Sequence, residues 1–150
     1  MDLILWRHAE AVDGFPDHSR ALTGKGRQQA ERMAAFLNTH LPHDTRILVS
    51  PALRAQQTAG ALNKKFHTEP AIDVGASAQK VLAAAGWPDA GGTTLLVGHQ
   101  PWLGEVTAQL MSGHPDSWSV KKGAVWWFSR RERGGDEQTN LRLVISPEHL

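Results

Sequence analysis

A short apolar run near the start of the chain constrains the fold more than any other feature. Leu3-Ile4-Leu5-Trp6 contains four apolar residues without alternation and leads directly into Arg7-His8. Such a run predicts a strand that is buried on both faces, as in a parallel sheet covered by helices. Because ligands in open α/β sheets bind beyond the carboxyl ends of the strands, Arg7 and His8 are candidate functional residues.

Two further apolar runs end in a similar way. Ile47-Leu48-Val49 is followed by Ser50-Pro51-Ala52-Leu53-Arg54, and Leu95-Leu96-Val97 is followed by Gly98-His99-Gln100-Pro101. An arginine at a strand end can bind an anion through two hydrogen bonds, and a histidine can act as nucleophile, acid, base or ligand. Pro51 predicts the first position of a helix with Arg54 in its first turn, where the helix dipole also favours an anion.

This trio of motifs, in this order, resembles the signature of the histidine phosphatase superfamily, also called the phosphoglycerate mutase-like superfamily. The short chain and the start Arg7-His8-Ala9-Glu10-Ala11 are most similar to its small bacterial SixA-type branch of phosphohistidine phosphatases. The similarity extends from Leu3 to about Leu110. It implies that His8 attacks phosphorus and becomes a phosphohistidine, and that the equatorial oxygens of the transferring group are held by Arg7, Arg54 and His99.

The order of the remaining elements predicts an α/β fold, a three-layer α/β/α sandwich in one domain over residues 1–150. Helices are expected at about 24–39 with Thr23 as N-cap, from Pro51, at about 77–85 and from Pro101. Strands are expected at about 46–49, near Ile72, and at about 94–98, 123–129 and 140–146, with the charged residues 131–136 as the last turn. The resemblance adds that the sheet is mixed, mostly parallel, and places the strands before His8 and His99 side by side.

The resemblance leaves the general acid open. The family usually has a glutamate after strand 3, and the nearest residue here is Asp73, which has a shorter side chain. Glu10 and Asp17 in the first loop are the alternatives. Arg20, just before Thr23, lies in a pattern that also resembles the family and is a candidate for substrate binding.

Composition argues against several other functions. The formal net charge of +1 gives no global field for nucleic acid, and Trp126-Trp127-Phe128 before a charged turn fits an aromatic strand better than a nucleic-acid platform. His40 and His43 have the spacing of metal ligands but lack a recognisable third ligand, so we expect no metal and no cofactor. The absence of cysteine fits a cytoplasmic location, and the chain shows no signal peptide and no membrane-spanning run.

These observations predict a metal-independent phosphatase that acts through a phosphohistidine intermediate, with phosphohistidine on a protein as the favoured substrate. Between Ile72 and Thr94 there is room for only one short helix, so no lid insertion is expected over the site. An uncovered site suits a side chain presented by another protein better than a small metabolite. Two alternatives remain: a small-molecule phosphomonoesterase of the same fold, and a catalytically silent domain that binds phosphate or a partner.

Overall fold

The computed structural model describes residues 1–150 and has a six-stranded sheet with strand order β3-β2-β4-β1-β5-β6. The strands are β1 (Asp2–Arg7), β2 (Arg46–Val49), β3 (His67–Thr68), β4 (Thr93–Gly98), β5 (Val125–Arg133) and β6 (Asp136–Ile145). The helices are α1 (Gly24–His40), α2 (Leu53–Gly60), α3 (Ala78–Ala85) and α4 (Trp102–Ser112), with 3₁₀ turns at Asp17–Ser19, Pro70–Ile72 and Pro147–His149. None of the helices is long and apolar enough to cross a membrane.

The sheet is mixed and mostly parallel, as the resemblance implied. Strand β1 pairs in parallel with β4 and antiparallel with β5, while β2 runs parallel to both β3 and β4. Since β6 is antiparallel to β5, only β5 runs against the other strands. The parallel strands therefore bring their carboxyl ends to one edge, which is where the three sequence motifs lie.

The unbroken apolar run of β1 is explained by helices on both faces of the sheet. Ile4 and Trp6 pack with buried residues of α1 and α2, including Met33 and Leu37. Leu3 and Leu5 point to the opposite face, where they pack with residues of α3 and α4. Because side chains alternate along a strand, both faces of β1 need apolar residues, and the three-layer prediction is confirmed.

Three local predictions were wrong. Helix α2 begins at Leu53 rather than at Pro51, because the chain bends at residues 51–52 and Ala52, with an extended backbone, is the N-cap residue. The short strand is β3 at His67–Thr68, whereas Ile72 ends a 3₁₀ turn. The last hairpin is longer than expected, because Gly134 and Gly135 adopt positive φ angles and form the turn alone, so residues 131–133 and 136 belong to strands.

Candidate active site

His8 and His99 lie opposite each other at the carboxyl edge of the sheet. Strand β1 pairs with β4 in a register that sets Arg7 beside Gly98, so the next residues of each strand are the two histidines. Their ring centroids are 5.2 Å apart, and the two residues are only 7% and 2% exposed. The structure therefore confirms the adjacency that the family resemblance implied.

A hydrogen bond defines the protonation of His8. Its Nδ1 lies 2.7 Å from the backbone oxygen of Ala9, and a carbonyl oxygen can only accept, so Nδ1 carries the proton. Burial, followed by the charges of Arg54, Arg7 and Arg20, lowers the pKa of His8 to about 4, although the bond to Ala9 acts in the opposite direction. The ring is thus neutral near pH 7 with an unprotonated Nε2. Burial lowers the pKa of His8 more than the neighbouring arginines do.

The two arginines predicted from the motifs each leave one buried nitrogen without a partner. Arg7 donates from Nη1 to the backbone oxygen of Val120 at 2.7 Å, and Arg54 donates to Asp17. The Nε atoms of both arginines are buried and make no hydrogen bond, and the same holds for Nδ1 of His99. Buried donors without partners are uncommon in folded proteins, so this group of side chains is suited to an anion.

Burial also lowers the pKa of His99. The ring of His99 is held by Ser50, which was not among the predicted site residues. Its Nε2 lies 2.6 Å from Oγ of Ser50, the residue that directly follows β2. Burial, His8 and Arg54 lower the pKa of His99 to about 3, while Asp73 and Asp17 act to raise it. The serine of the Ser-Pro-x-x-Arg motif therefore orients the second histidine.

Thr58 is a second residue that sequence reasoning missed. Its hydroxyl accepts a hydrogen bond from the backbone nitrogen of Ala9 at 3.0 Å and donates to the backbone oxygen of Arg54 at 2.7 Å. It thereby joins the segment after His8 to the first turn of α2. The only sequence signal was its position four residues after Arg54 on an apolar helix face, where a threonine is easily read as a core residue.

Two glycines permit the close packing that supports the motifs. A Cβ atom on Gly98 would lie 1.9 Å from the ring of Trp102, and one on Gly26 would lie 2.0 Å from the backbone oxygen of Glu10. The first contact lets α4 pack directly behind His99. The second lets α1 approach the segment after His8, where Thr23 caps the helix by accepting from the backbone nitrogen of Gly26.

The loop after β1 reaches the site through Asp17 and Arg20. Asp17 accepts hydrogen bonds from both Arg54 and Arg20, and Arg20 also donates from Nε to the backbone oxygen of Val12 at 2.6 Å. The hydrogen bond from Arg54 is the main cause that holds the pKa of Asp17 below its usual value. Asp17 is therefore ionised near neutral pH and is a poor candidate for the general acid.

The other two acid candidates also have partners. The carboxylate of Glu10 accepts a hydrogen bond from the hydroxyl of Thr23 at 2.7 Å, which ties it to the start of α1. Asp73, directly after the 3₁₀ turn Pro70–Ile72, lies 2.8 Å from Nε2 of His18. The structure thus brings Asp73 toward the site but pairs it with a histidine that the sequence analysis had passed over.

The residues considered for metal binding or nucleic-acid binding have structural roles outside the candidate active site. His40 contacts the backbone oxygen of Phe36 and stacks on its ring, and no cluster of three potential metal ligands occurs in the chain. Trp127 donates from Nε1 to the carboxylate of Asp2 at 2.9 Å, and Trp126 packs beside Phe128. The aromatic residues of β5 therefore belong to the packing of the sheet.

Comparison with known proteins agrees with this geometry. The family model for the histidine phosphatase superfamily (branch 1) matches residues 3–75. The phosphohistidine phosphatase SixA of Escherichia coli (strain K12) is 31% identical over 124 residues, which are 75% of this chain and 76% of that protein. The chain belongs to the histidine phosphatase superfamily. A SixA homologue of Haemophilus influenzae, described as a phosphohistidine phosphatase, is 32% identical over 134 residues, 73% of this chain and 77% of its own length.

The solved structure of the protein histidine phosphatase SixA complexed with tungstate has the same fold. It superposes with a TM-score of 0.81 at 25% identity and covers 99% of both chains. Together with the sequence relatives, this similarity identifies the present chain as a SixA-type histidine phosphatase, an enzyme that acts on phosphorylated substrates.

Proposed function

We propose that this histidine phosphatase removes phosphoryl groups from phosphohistidine side chains of proteins, through a covalent intermediate on His8. The observation that carries the proposal is the state of His8. Its Nδ1–H is held by the Ala9 oxygen at 2.7 Å, so the lone pair of Nε2 is free to attack. A neutral imidazole held in one tautomer beside two guanidinium groups suits nucleophilic attack on a phosphoryl group.

In the first step of the proposed reaction, a bond forms between Nε2 of His8 and phosphorus as the bond from phosphorus to the substrate nitrogen breaks. The substrate imidazole leaves as a neutral ring when its other nitrogen carries a proton, as in the protonated form of phosphohistidine. In the second step a water oxygen displaces His8, which releases inorganic phosphate and restores the lone pair on Nε2. Arg7, Arg54 and His99 stabilise the equatorial oxygens in both steps, and this chemistry requires neither a metal nor a cofactor.

Three observations support phosphohistidine over a sugar phosphate as the substrate. The sequence relatives from two bacteria are described as phosphohistidine phosphatases. Between Ile72 and Thr94 the chain has only one helix, α3, so it has no insertion that could enclose a metabolite. The carboxylates near the site have partners already, and an alkoxide leaving group needs a proton donor more than an imidazole does. We further propose that the enzyme acts on its protein substrate in the cytoplasm.

A substrate panel tests this proposal. We expect kcat/KM for a phosphohistidine-containing protein to exceed that for sugar phosphates and a phosphoserine peptide by at least about tenfold, since each factor of ten requires only about 1.4 kcal/mol of transition-state stabilisation. The same panel is measured with Asp73→Asn, and with Asp44→Asn as a control because Asp44 is exposed and precedes β2 at the opposite edge of the sheet.

The outcome of the panel separates the two candidate substrates. If Asp73 is not needed to protonate an imidazole, Asp73→Asn retains most activity on the phosphohistidine protein. A sugar phosphate that is preferred by tenfold or more, or loss of activity on every substrate in Asp73→Asn, would instead identify a small-molecule phosphomonoesterase with Asp73 as its acid. No turnover on any substrate would favour a silent binding domain.

A further inference from the structure

Asp17 accepts hydrogen bonds from two arginines, Arg54 of α2 and Arg20 of the loop after β1. Its backbone oxygen accepts from Nη1 of Arg54 at 2.8 Å, its Oδ2 accepts from Nη2 of Arg54 at 3.1 Å, and its Oδ1 accepts from Nη1 of Arg20 at 3.2 Å. We propose that Asp17 is a positioning residue that fixes the guanidinium group of Arg54 with its Nε edge toward the phosphoryl group. This inference rests on the role proposed above for Arg54.

The geometry of the guanidinium group explains why the edge matters. Arginine can bind an anion with two parallel hydrogen bonds either through the Nη1–Nη2 edge or through the edge formed by Nε and Nη2. In Arg54 the Nη1–Nη2 edge is used by Asp17, while Nε is buried without a partner. The side chain of Arg54 is only 5% exposed, so rotation into solvent is hindered. Asp17 therefore leaves the Nε edge as the one that can bind a phosphoryl group.

The carboxylate also allows two positive charges to lie close together. Arg20 and Arg54 share Asp17, one at each carboxylate oxygen, and both arginines contribute to the low pKa of His8. Without the carboxylate, the two guanidinium groups would repel each other and Arg54 would lose one of its two fixed contacts. Since Asp17 is ionised near neutral pH, it acts as an acceptor for these arginines rather than as a proton donor.

The turn that carries Asp17 is held from two sides. Arg54 binds Asp17 from α2, and the neighbouring residue His18 contacts Asp73 at 2.8 Å. The 3₁₀ turn Asp17–Ser19 is thus fixed between two elements that also border the site. This double attachment gives an otherwise exposed turn the fixed position that a positioning residue requires.

The test compares Asp17→Ala and Asp17→Asn in the turnover of p-nitrophenyl phosphate. Asp17→Ala should lower kcat about tenfold with little change in KM, less than the hundredfold or more that follows loss of a whole transition-state donor, because the backbone contact to Nη1 survives. Asp17→Asn keeps an oxygen that can accept from Nη2 but loses the charge shared with Arg20, so its kcat should lie between that of Asp17→Ala and that of the wild type. Asp44→Ala is the control, since Asp44 is an exposed aspartate that precedes β2 at the opposite edge of the sheet.

A second measurement excludes a merely structural role. Orthovanadate adopts the five-coordinate geometry of phosphoryl transfer, so its inhibition constant should weaken in Asp17→Ala by the same factor as kcat/KM. The inference is wrong if Asp17→Ala stays within threefold of the wild type, if it binds orthovanadate more tightly, or if Asp17→Asn loses as much activity as Asp17→Ala. Arg54→Ala is measured beside them: if that variant keeps full activity, the proposed site itself is wrong, whereas a loss confined to Arg54→Ala rejects only the role of Asp17.

Discussion

Asp2 and Arg7 are the two ends of β1, and their charged groups have opposite surroundings. The carboxylate of Asp2 is 8% exposed and contacts Arg131 at 3.0 Å, Arg142 at 2.7 Å and Nε1 of Trp127 at 2.9 Å. At the other end Arg7 is half-buried and the nearby Arg54 is buried, and each has a buried Nε atom without a partner. One strand therefore carries at its start a carboxylate paired with two arginines, whose Oδ1 has only the ion pair to Arg131, and at its end a buried donor with no partner at all, Nε of Arg7.

The difference separates a stabilising group from a functional one. Burial acts to raise the pKa of Asp2, but the hydrogen bonds from Trp127 and Arg142 and the charge of Arg131 outweigh it and hold the pKa below its usual value. At the other end, burial and neighbouring charges keep His8 and His99 from binding a proton. The first arrangement favours the folded state, whereas the second retains donors and a lone pair for a substrate at a cost in stability.

The largest expected effect comes from His8→Ala, which removes the proposed nucleophile beyond the carboxyl end of β1 and leaves Asp2 at the start of the strand unchanged. Removal of the nucleophile deletes the covalent path, so turnover of the phosphohistidine protein should fall by at least about a thousandfold. Wild-type enzyme mixed with labelled substrate and quenched in alkali should carry label, because phosphoramidates survive base. Circular dichroism should show a folded variant, and His43→Ala, an exposed histidine, serves as control. Substantial turnover in His8→Ala together with an unlabelled wild type would reject the nucleophile.

The pH dependence of the free energy of unfolding should show how much stability is lost because His8 and His99 are buried in the neutral form. Histidine in the unfolded chain titrates near 6.5, whereas the folded values are about 4 for His8 and 3 for His99. Between these values the unfolded state binds protons that the folded state does not, so stability falls as pH drops below 6.5. From pH 7 to pH 5 the two histidines together should remove about 2–4 kcal/mol from the free energy of unfolding.

Urea unfolding at pH 7 and pH 5 measures this loss. His8→Asn should reduce the difference between the two pH values, while His43→Asn should leave it unchanged because His43 is exposed. Equal stability of the wild type at both pH values would show that the site histidines titrate normally in the folded protein. Asp2 does not contribute in this range, because its carboxyl group remains ionised until the pH falls below its usual pKa.

The parts of the fold that could be predicted from sequence are those set by local patterns. The apolar runs located β1, β2 and β4, and the capping residue Thr23 located the start of α1. These signals depend on neighbouring residues, so they can be interpreted without a structure. The predicted start of α2 at Pro51 was wrong because the N-cap residue is Ala52, and Ser50 has a tertiary partner, His99, that no local pattern indicates.

The residues of the site also divide into those that local patterns predict and those that depend on tertiary contacts. Arg7, His8, Arg54 and His99 could be named because each follows an apolar run within a motif that resembles one family. The contacts of Asp17 and of the His18–Asp73 pair could not, since both depend on how a loop of irregular structure folds against α2 and the 3₁₀ turn Pro70–Ile72. The spacing of apolar residues in the sequence gives no signal for such a contact. The acid candidates were therefore chosen by residue type and position in the chain, and the structure adds the partner of each one.

The smallest expected effect comes from a substitution of Asp2, at the start of β1. Asp2→Asn keeps the shape of the side chain and an acceptor for Trp127 but removes the charge shared by Arg131 and Arg142, both about half exposed. We expect a loss of about 1–3 kcal/mol in the free energy of unfolding at pH 7, typical of hydrogen bonds to a charged group. Because the edge that carries His8 lies at the other end of the strand, kcat/KM should stay within about twofold of the wild type.

The pH dependence of this variant sharpens the comparison with the histidines. The folded pKa of Asp2 is lowered, so its contribution is present above the ordinary carboxyl pKa and disappears as the pH falls through the lower folded value. The stability difference between Asp2→Asn and wild type should therefore be constant from pH 7 to pH 5, the range in which the histidines act, and should shrink only at more acidic pH. Glu148→Gln, which removes an exposed ion pair with Lys121, should change nothing measurable. A difference that shrinks already between pH 7 and pH 5, or a loss of turnover in Asp2→Asn, would show that the two ends of β1 are coupled.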